Sequence, residues 1–268
     1  MAEMPDLRLD LTTEISSYDL HHIWIRGLDL TSEVMGELSF TDVVFLLVAG
    51  RLPSSGDRAL LDAVLIALME HGLTASAVAA RFTYWAAPEA IQGAVAAGLL
   101  GAGSKVLGSM EECGQILTRI DALVSSGRDR SEVIEEIVRE YREQGRHLPG
   151  IGHAVHTEGD PRADRLYEIA EECGRRGRHL DAMQELHRVA EERIGRRMPL
   201  NVTGAISAIL MELEVPWQLH RGFALISRTV GLVGHIGEEL SSPITPVIRR
   251  GLFTASSHGH PSAREDGD

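Results

Sequence analysis

The sequence predicts an all-α protein with a short β segment near its start. Apolar residues recur at helical spacing through most of the 268 residues. Strand-like alternation is confined to the opening stretch. No repeating strand-and-helix units follow, which disfavours a parallel-sheet nucleotide fold. A chain of this length can bury a sizeable core and still frame a cleft.

In chain order, Leu7, Leu9 and Leu11 alternate with polar residues, and His22-Ile23-Trp24-Ile25-Arg26 leads into a glycine. A short hairpin is expected there. Helices are expected over 41–49, 57–72, 74–86, 88–100, 109–125, 131–144, 161–175, 181–194, 202–213 and 218–239. The clearest is 57–72, where Leu60, Leu61, Val64, Leu65, Leu68 and Met69 mark one face and Gly72 supplies a stop. Several of the helices start at Asp, Ser or Thr caps and end at glycine. The glycine-bearing linkers 101–108 and 145–159 break the pattern and are the candidate binding segments. The stretch 255–268 has no apolar face and is expected to be disordered. No internal repeat is visible.

Composition excludes several functions. A formal charge of −13 without any Lys/Arg run argues against a nucleic-acid partner. The charge is uneven: residues 139–197 hold twelve arginines against twelve acids, whereas 1–138 carry nine basic groups against twenty. An anionic ligand is best tolerated in the middle segment, although i,i+4 pairing on solvated helix faces accounts for most of these arginines. Cys113 and Cys173 give neither a disulfide framework nor a CxxC motif, which fits a cytoplasmic location. Residues 1–10 are acidic and lack the basic start and apolar core of a signal peptide. The most apolar run, 94–103, is too short for a membrane span of about 20 residues, so no membrane partner is expected. Gly101-Ala-Gly103 fails the dinucleotide fingerprint because position 106 is Val106, and Lys105 is the only lysine. Nicotinamide, Walker-type and Schiff-base chemistry are thereby disfavoured. His21-His22 and the pair His153 and His156 are too few ligands, at the wrong spacing, for zinc, so no metal is expected.

The most specific feature is Leu148-Pro-Gly-Ile-Gly-His153-Ala-Val-His156, followed by Asp160-Pro161-Arg162. Gly150 and Gly152 would let backbone amides approach a ligand, and Asp160-Pro161 suits the cap and first turn of a helix whose Arg162 and Arg165 share one side. A loop at a helix amino end suits an anion. An ordinary capped loop is the competing account.

This segment resembles the citrate synthase family. Gly150, Gly152, His153, Val155, Asp160, Pro161 and Arg162 stand where that family has a coenzyme A-wrapping loop, a histidine that meets the carbonyl or hydroxyl oxygen of the organic acid, and a ligand-contacting arginine. Glu70-His71 with Ser76 looks like its acid-binding histidine segment, and Arg228 in Ile226-Ser-Arg-Thr-Val-Gly231 resembles its carboxylate-binding arginine, followed by His235 and Glu238. Arg249 and Arg250 fall near an arginine that family members lend to a partner subunit. The likeness runs from about Ser16 to Arg250. Ser16-Ser-Tyr-Asp, Leu28-Asp-Leu and Leu38-Ser-Phe-Thr-Asp42 look most like citryl-CoA lyases and the citrate synthase-like module of ATP-citrate lyase.

The resemblance implies a fold of a large and a small helical domain: 1–103 as the first part of the large one, 104–200 as the small one with the coenzyme A loop, 201–254 as the rest of the large one, and 255–268 as a tail. It implies that His153 and His71 act in catalysis, that Arg228, Arg162, His235 and Arg249 bind substrate, and that Gly150, Ile151 and Gly152 bind coenzyme A. No tightly bound cofactor is expected: the partners are a coenzyme A thioester, a small organic acid and a second copy in a homodimer.

Two departures matter. Val106 stands where synthases carry a histidine that stabilises the acetyl-CoA enol, and valine cannot donate that bond. Lyase-type relatives commonly have an apolar residue there. Thr203, in Leu200-Asn201-Val202-Thr203-Gly204, replaces the family's proton-exchanging aspartate, and a threonine hydroxyl is no general base near neutral pH. Another group must then serve, such as His71, His153, His156 or Glu238, or the substrate differs, or catalysis is lost. The expected activity is cleavage of citryl-CoA or a related 3-hydroxyacyl-CoA to acetyl-CoA and a 2-oxo acid. The alternatives are synthase-type condensation, or a thioester-binding protein with little catalysis.

Overall fold

The computed structural model describes residues 12–103, 107–153 and 155–256. At its start β1 (Ser16–Tyr18), β2 (Ile23–Ile25) and β3 (Leu28–Asp29) form one antiparallel sheet in that order. Ile25 pairs with Leu28 across Arg26-Gly27, whose φ angles of 49° and 85° give the two-residue turn that matches strand twist. The expected hairpin therefore gains a third strand, while Leu7, Leu9 and Leu11 lie outside the described residues. A single π turn, Leu30–Val34, follows.

The body is helical: α1 (Phe40–Ala49), α2 (Ser55–Met69), α3 (Ala75–Ala86), α4 (Ile91–Leu100), α5 (Ser109–Ser125), α6 (Arg130–Glu143), α7 (Pro161–Glu172), α8 (Arg178–Ile194), α9 (Val202–Glu212), α10 (His220–Ser241) and α11 (Thr245–Ala255). The expected helices are all present, with ends displaced by a few residues. Their starts follow local chemistry: Ser39 and Asp42 form a reciprocal capping box at α1, and Thr74, Asp129, Asp160 and Asn201 cap α3, α6, α7 and α9. α11 was not expected. Its proline in the first turn reads in sequence as a break, and Arg249-Arg250 interrupts its apolar stripe, yet proline is well placed where no intrahelical N–H is needed.

The chain divides into two compact units, the first drawn from 1–64 and 109–220, the second from 65–108 and 221–268. In the first, α9 is the central element, packed on α5, α7 and α8, with α6 against α5 and α8. Every residue from Val202 to Leu210 is buried, because Gly204, Ala205, Ser207 and Ala208 are small enough for three helices to close around it. Burial of Ile206, Ile209 and Leu210 contributes about 1.5–3 kcal/mol each.

In the second unit α3 pairs with α4, and the Ser76 hydroxyl donates to the Gly98 carbonyl between them. α11 lies against α3. Arg81 is only 1% exposed. Its guanidinium donates to Glu239 at 2.6 Å, Glu238 at 2.5 Å and the Ser242 carbonyl at 2.9 Å. Among the described residues no helix is long and apolar enough to cross a membrane.

Candidate functional site

In the first unit the glycine loop is strapped to the segment entering α9. Ile151 and Leu200 form an isolated antiparallel bridge, the Gly152 N–H donates to the Pro199 carbonyl at 2.7 Å, and the Asn201 N–H donates to the Gly150 carbonyl at 2.9 Å. Gly150 has φ 79°, and a Cβ there would lie 2.8 Å from Cys113 Sγ and 2.9 Å from Gly204 Cα. A Cβ on Gly204 would lie 2.9 Å from the Gly150 carbonyl oxygen. Glycine at both positions lets the loop rest on the first turn of α9.

Asp160 joins this loop to two helices. Its Oδ1 accepts from the Arg162 N–H at 3.2 Å, capping α7, and its Oδ2 accepts from the Val202 N–H at 2.9 Å in the first turn of α9. Arg162 closes on the same carboxylate through Nε at 3.0 Å and Nη2 at 2.9 Å. Burial pushes the Asp160 carboxyl up, but the Arg162 and Val202 hydrogen bonds outweigh it and hold it below the usual carboxylate range.

The loop also holds the His153 ring. Its Nδ1 lies 3.0 Å from the Val155 and His156 N–H groups. Arg162 Nη2, which can only donate, stands 3.5 Å from His153 Nε2. The His156 ring lies 4.6 Å from that of His153, centroid to centroid.

Thr203, 7% exposed, sits in the first turn of α9. Its hydroxyl donates to Asn201 Oδ1 at 2.6 Å and touches Ser109 Oγ, at the start of α5, at 2.7 Å. Val106 lies outside the described residues. An open cavity of about 580 Å³ borders the loop, lined among others by Glu158, Asp164, Glu168, Glu171, Glu191, Arg176 and Arg197. Its excess of carboxylates makes it a poor seat for a polyphosphate.

The second unit holds the other residues singled out from sequence. His71 follows the end of α2, and its N–H donates to Glu70 Oε1 at 2.7 Å. Glu70 Oε1 is also 3.0 Å from His235 Nε2 on α10. Burial raises the Glu70 carboxyl, but hydrogen bonds from His235 and the His71 N–H, with the charges of His235 and Arg228, bring it below the usual range. Arg228 is buried on the same helix. The approach of α10 to α2 depends on Gly231, where a Cβ would fall 2.1 Å from the Met69 carbonyl oxygen. Gly231 and His235 follow Arg228 by three and seven residues, the spacing of one helix face. Arg249 lies on exposed α11, its guanidinium 5.3 Å from the Trp85 ring centroid.

Sequence reasoning missed Ser109, Asn201 as the acceptor at Thr203, and Glu70 as the partner of His235. Ser109 lies three residues after Val106, but its partner is 94 residues away.

A family model for the citrate synthase C-terminal domain matches residues 56–250. The chain belongs to the citrate synthase family. Within it, the chain is similar to citryl-CoA lyase from Hydrogenobacter thermophilus, at 32% identity over 96% of this chain and 97% of that one, with a TM-score of 0.84. The fold is also shared with ATP citrate lyase from Methanothrix soehngenii, solved in complex with citrate and coenzyme A, at 19% identity over 97% of this chain and 43% of that one, TM-score 0.75. Citrate synthase from Thermotoga maritima aligns at 15% identity over 97% and 95% of the two chains, TM-score 0.57. As a member of the citrate synthase family the chain has the expected helical fold with a small amino-terminal sheet.

Proposed function

We propose that the protein cleaves citryl-CoA, or a related 3-hydroxyacyl-CoA, to acetyl-CoA and a 2-oxo acid. The observation that carries this reading is the end-to-end likeness to a citryl-CoA lyase at 32% identity. In the cleavage, the C3 hydroxyl loses its proton, the C2–C3 bond breaks, and its electron pair passes to the thioester as an enolate that is then protonated at C2. In this reading His153 holds the oxygen that becomes the carbonyl. With Thr203 in place of an acid–base group, another residue such as His71, His153, His156 or Glu238 takes the hydroxyl proton and a proton is returned to C2. His71, Arg228 and Arg162 bind carboxylates or coenzyme A, with His235 also on the substrate, and the planar guanidinium of Arg228 favours bidentate contact; Gly150, Ile151 and Gly152 wrap coenzyme A within a small domain spanning 104–200. The proposed chemistry takes a coenzyme A thioester as substrate and calls on no tightly bound cofactor.

Incubation with citryl-CoA tests the reading: acetyl-CoA and oxaloacetate should form together in equal amounts. Binding of coenzyme A without product would favour the second reading, a thioester-binding protein with little catalysis. That reading draws on Thr203, whose proton is already committed to Asn201. Synthase-type condensation is disfavoured by valine at 106.

We further propose a cytoplasmic homodimer to which Arg249 contributes. The apolar faces of α9 are consumed against α5, α7 and α8, so the dimer proposal rests on the exposed Val230, Val233 and Leu240 of α10 and Val247, Leu252 and Phe253 of α11. Sedimentation at micromolar concentration should give twice the 29.2 kDa chain mass, and a monomer would refute it.

A further inference from the structure

We propose that Ser109 is a positioning residue for the glycine loop, acting through Thr203 and Asn201. The directions of the hydrogen bonds carry the argument. Asn201 Nδ2 donates to the Gly152 carbonyl at 2.8 Å, while its Oδ1 accepts from the N–H groups of Thr203 and Gly204 at 3.0 and 3.2 Å. These contacts fix which end of the amide is oxygen. An amide oxygen cannot donate, so the Thr203 hydroxyl, 2.6 Å away, donates to it. With that proton committed, the 2.7 Å contact between Ser109 and Thr203 has one direction: Ser109 donates.

The result is a directed chain from Ser109 to Thr203 to Asn201 to the Gly152 carbonyl, in which each bond polarises the next. The Gly152 N–H is itself held by the Pro199 carbonyl, so both backbone polar groups of Gly152 are tied. Removing the Ser109 hydroxyl weakens the chain at its head and lets the loop open more often. The chain contains no ionisable group. Ser109 therefore acts on the geometry of the loop and not on proton supply. In its ligand, though not in its geometry, this inference rests on the reading of 150–153 as the coenzyme A loop.

The test compares wild type, Ser109→Ala, Ser109→Thr and Thr203→Val by hydrogen-exchange mass spectrometry without ligand, followed by calorimetric titration with coenzyme A. Ser109→Ala should speed exchange at 150–153 by about three- to tenfold, the scale of one lost hydrogen bond. Ser109→Thr should restore the wild-type rate, and Thr203→Val should reproduce the local loosening. Coenzyme A should bind Ser109→Ala about three- to tenfold more weakly than wild type. Unchanged exchange in Ser109→Ala or in Thr203→Val overturns the inference, as does a rise spread evenly over the whole unit, which would mark a general structural role. Local loosening rescued by threonine, in a protein that binds no coenzyme A at millimolar concentration, sustains the positioning chain and overturns the thioester reading.

Discussion

Thr203→Asp returns a carboxylate to the position where the family resemblance expects one, and the surrounding contacts set its cost. Thr203 donates to Asn201 Oδ1 at 2.6 Å and accepts from Ser109 at 2.7 Å. An aspartate keeps the acceptor for Ser109 but loses the donor to Asn201, a loss of about 1 kcal/mol. The cap of α9 survives, because the N–H groups of residues 203 and 204 still reach Asn201 Oδ1. A carboxylate in the first turn of a helix gains about 0.3–1 kcal/mol from the helix dipole, against about 1–3 kcal/mol for desolvation at a buried position. The variant should therefore fold, about 1–3 kcal/mol less stable than wild type. A positioned acid–base group contributes about 10²- to 10⁴-fold in rate. Since the pocket is fitted to a neutral hydroxyl, the expected gain is at least about tenfold, below that range. The assay is single-turnover cleavage of citryl-CoA with enzyme in excess, following acetyl-CoA, with circular dichroism melts run in parallel. A fast wild type that Thr203→Asp slows, with fold and coenzyme A binding intact, would refute the reasoning and show that another group has taken over proton transfer.

Three further outcomes are expected. Asp160→Asn removes the charge that holds Arg162 while leaving one capping oxygen, and should cost about 2–3 kcal/mol in a urea melt at pH 7. Because the Asp160 carboxyl is held below its ordinary value of 3.8, its contribution is present above that value and is lost as pH falls through the lower folded one. Gly231→Ala forces α10 off the Met69 carbonyl, and should lower stability by about 1–3 kcal/mol and weaken any acid binding through Arg228. Buried His179 lies 2.7 Å from Asp121 and 3.3 Å from Glu212. Burial alone would lower its pKa, but the hydrogen bonds to Glu212 and Asp121 raise it. Its contribution should be complete below the ordinary value of 6.5 and fade as pH rises through the higher folded value, and thermal melts of His179→Gln should lack that slope.

The parts of the fold that were legible in sequence are those set by local rules. Helix faces follow from the spacing of residues such as Leu60, Leu61, Val64 and Leu68, and helix starts from Ser39, Thr74, Asp129 and Asn201, whose side chains reach only three residues along the chain. α11 was hidden because proline and paired arginines mask a short amphipathic helix. In the site, Gly150, His153 and Asp160 were legible as a motif, and Asp160 also as the cap of α7, but their long-range contacts were not. Gly150 answers to Cys113 and Gly204, and Asp160 to Val202, contacts made only once α5, α7 and α9 have packed.

Thr203, where the family resemblance expects an aspartate, illustrates why chemistry is harder to read than fold. Considered alone, the change deletes an acid–base group. In its surroundings, Asn201 Oδ1 accepts a third hydrogen bond from the hydroxyl and the Ser109 hydroxyl is offered an acceptor, and threonine makes both contacts while a carboxylate makes one. Valine would meet neither, leaving Asn201 Oδ1 to the N–H groups of residues 203 and 204 alone and the Ser109 hydroxyl without this acceptor. The residue at 203 thus belongs to a neutral, internally satisfied network, whose members lie 2 and 94 residues from it in the chain. Such a network stabilises the strap between the glycine loop and α9 at the cost of a titratable group. The proton that must reach C2 of the departing enolate then has to come from a group outside it, and this makes the identity of that donor the decisive chemical question for the proposed cleavage.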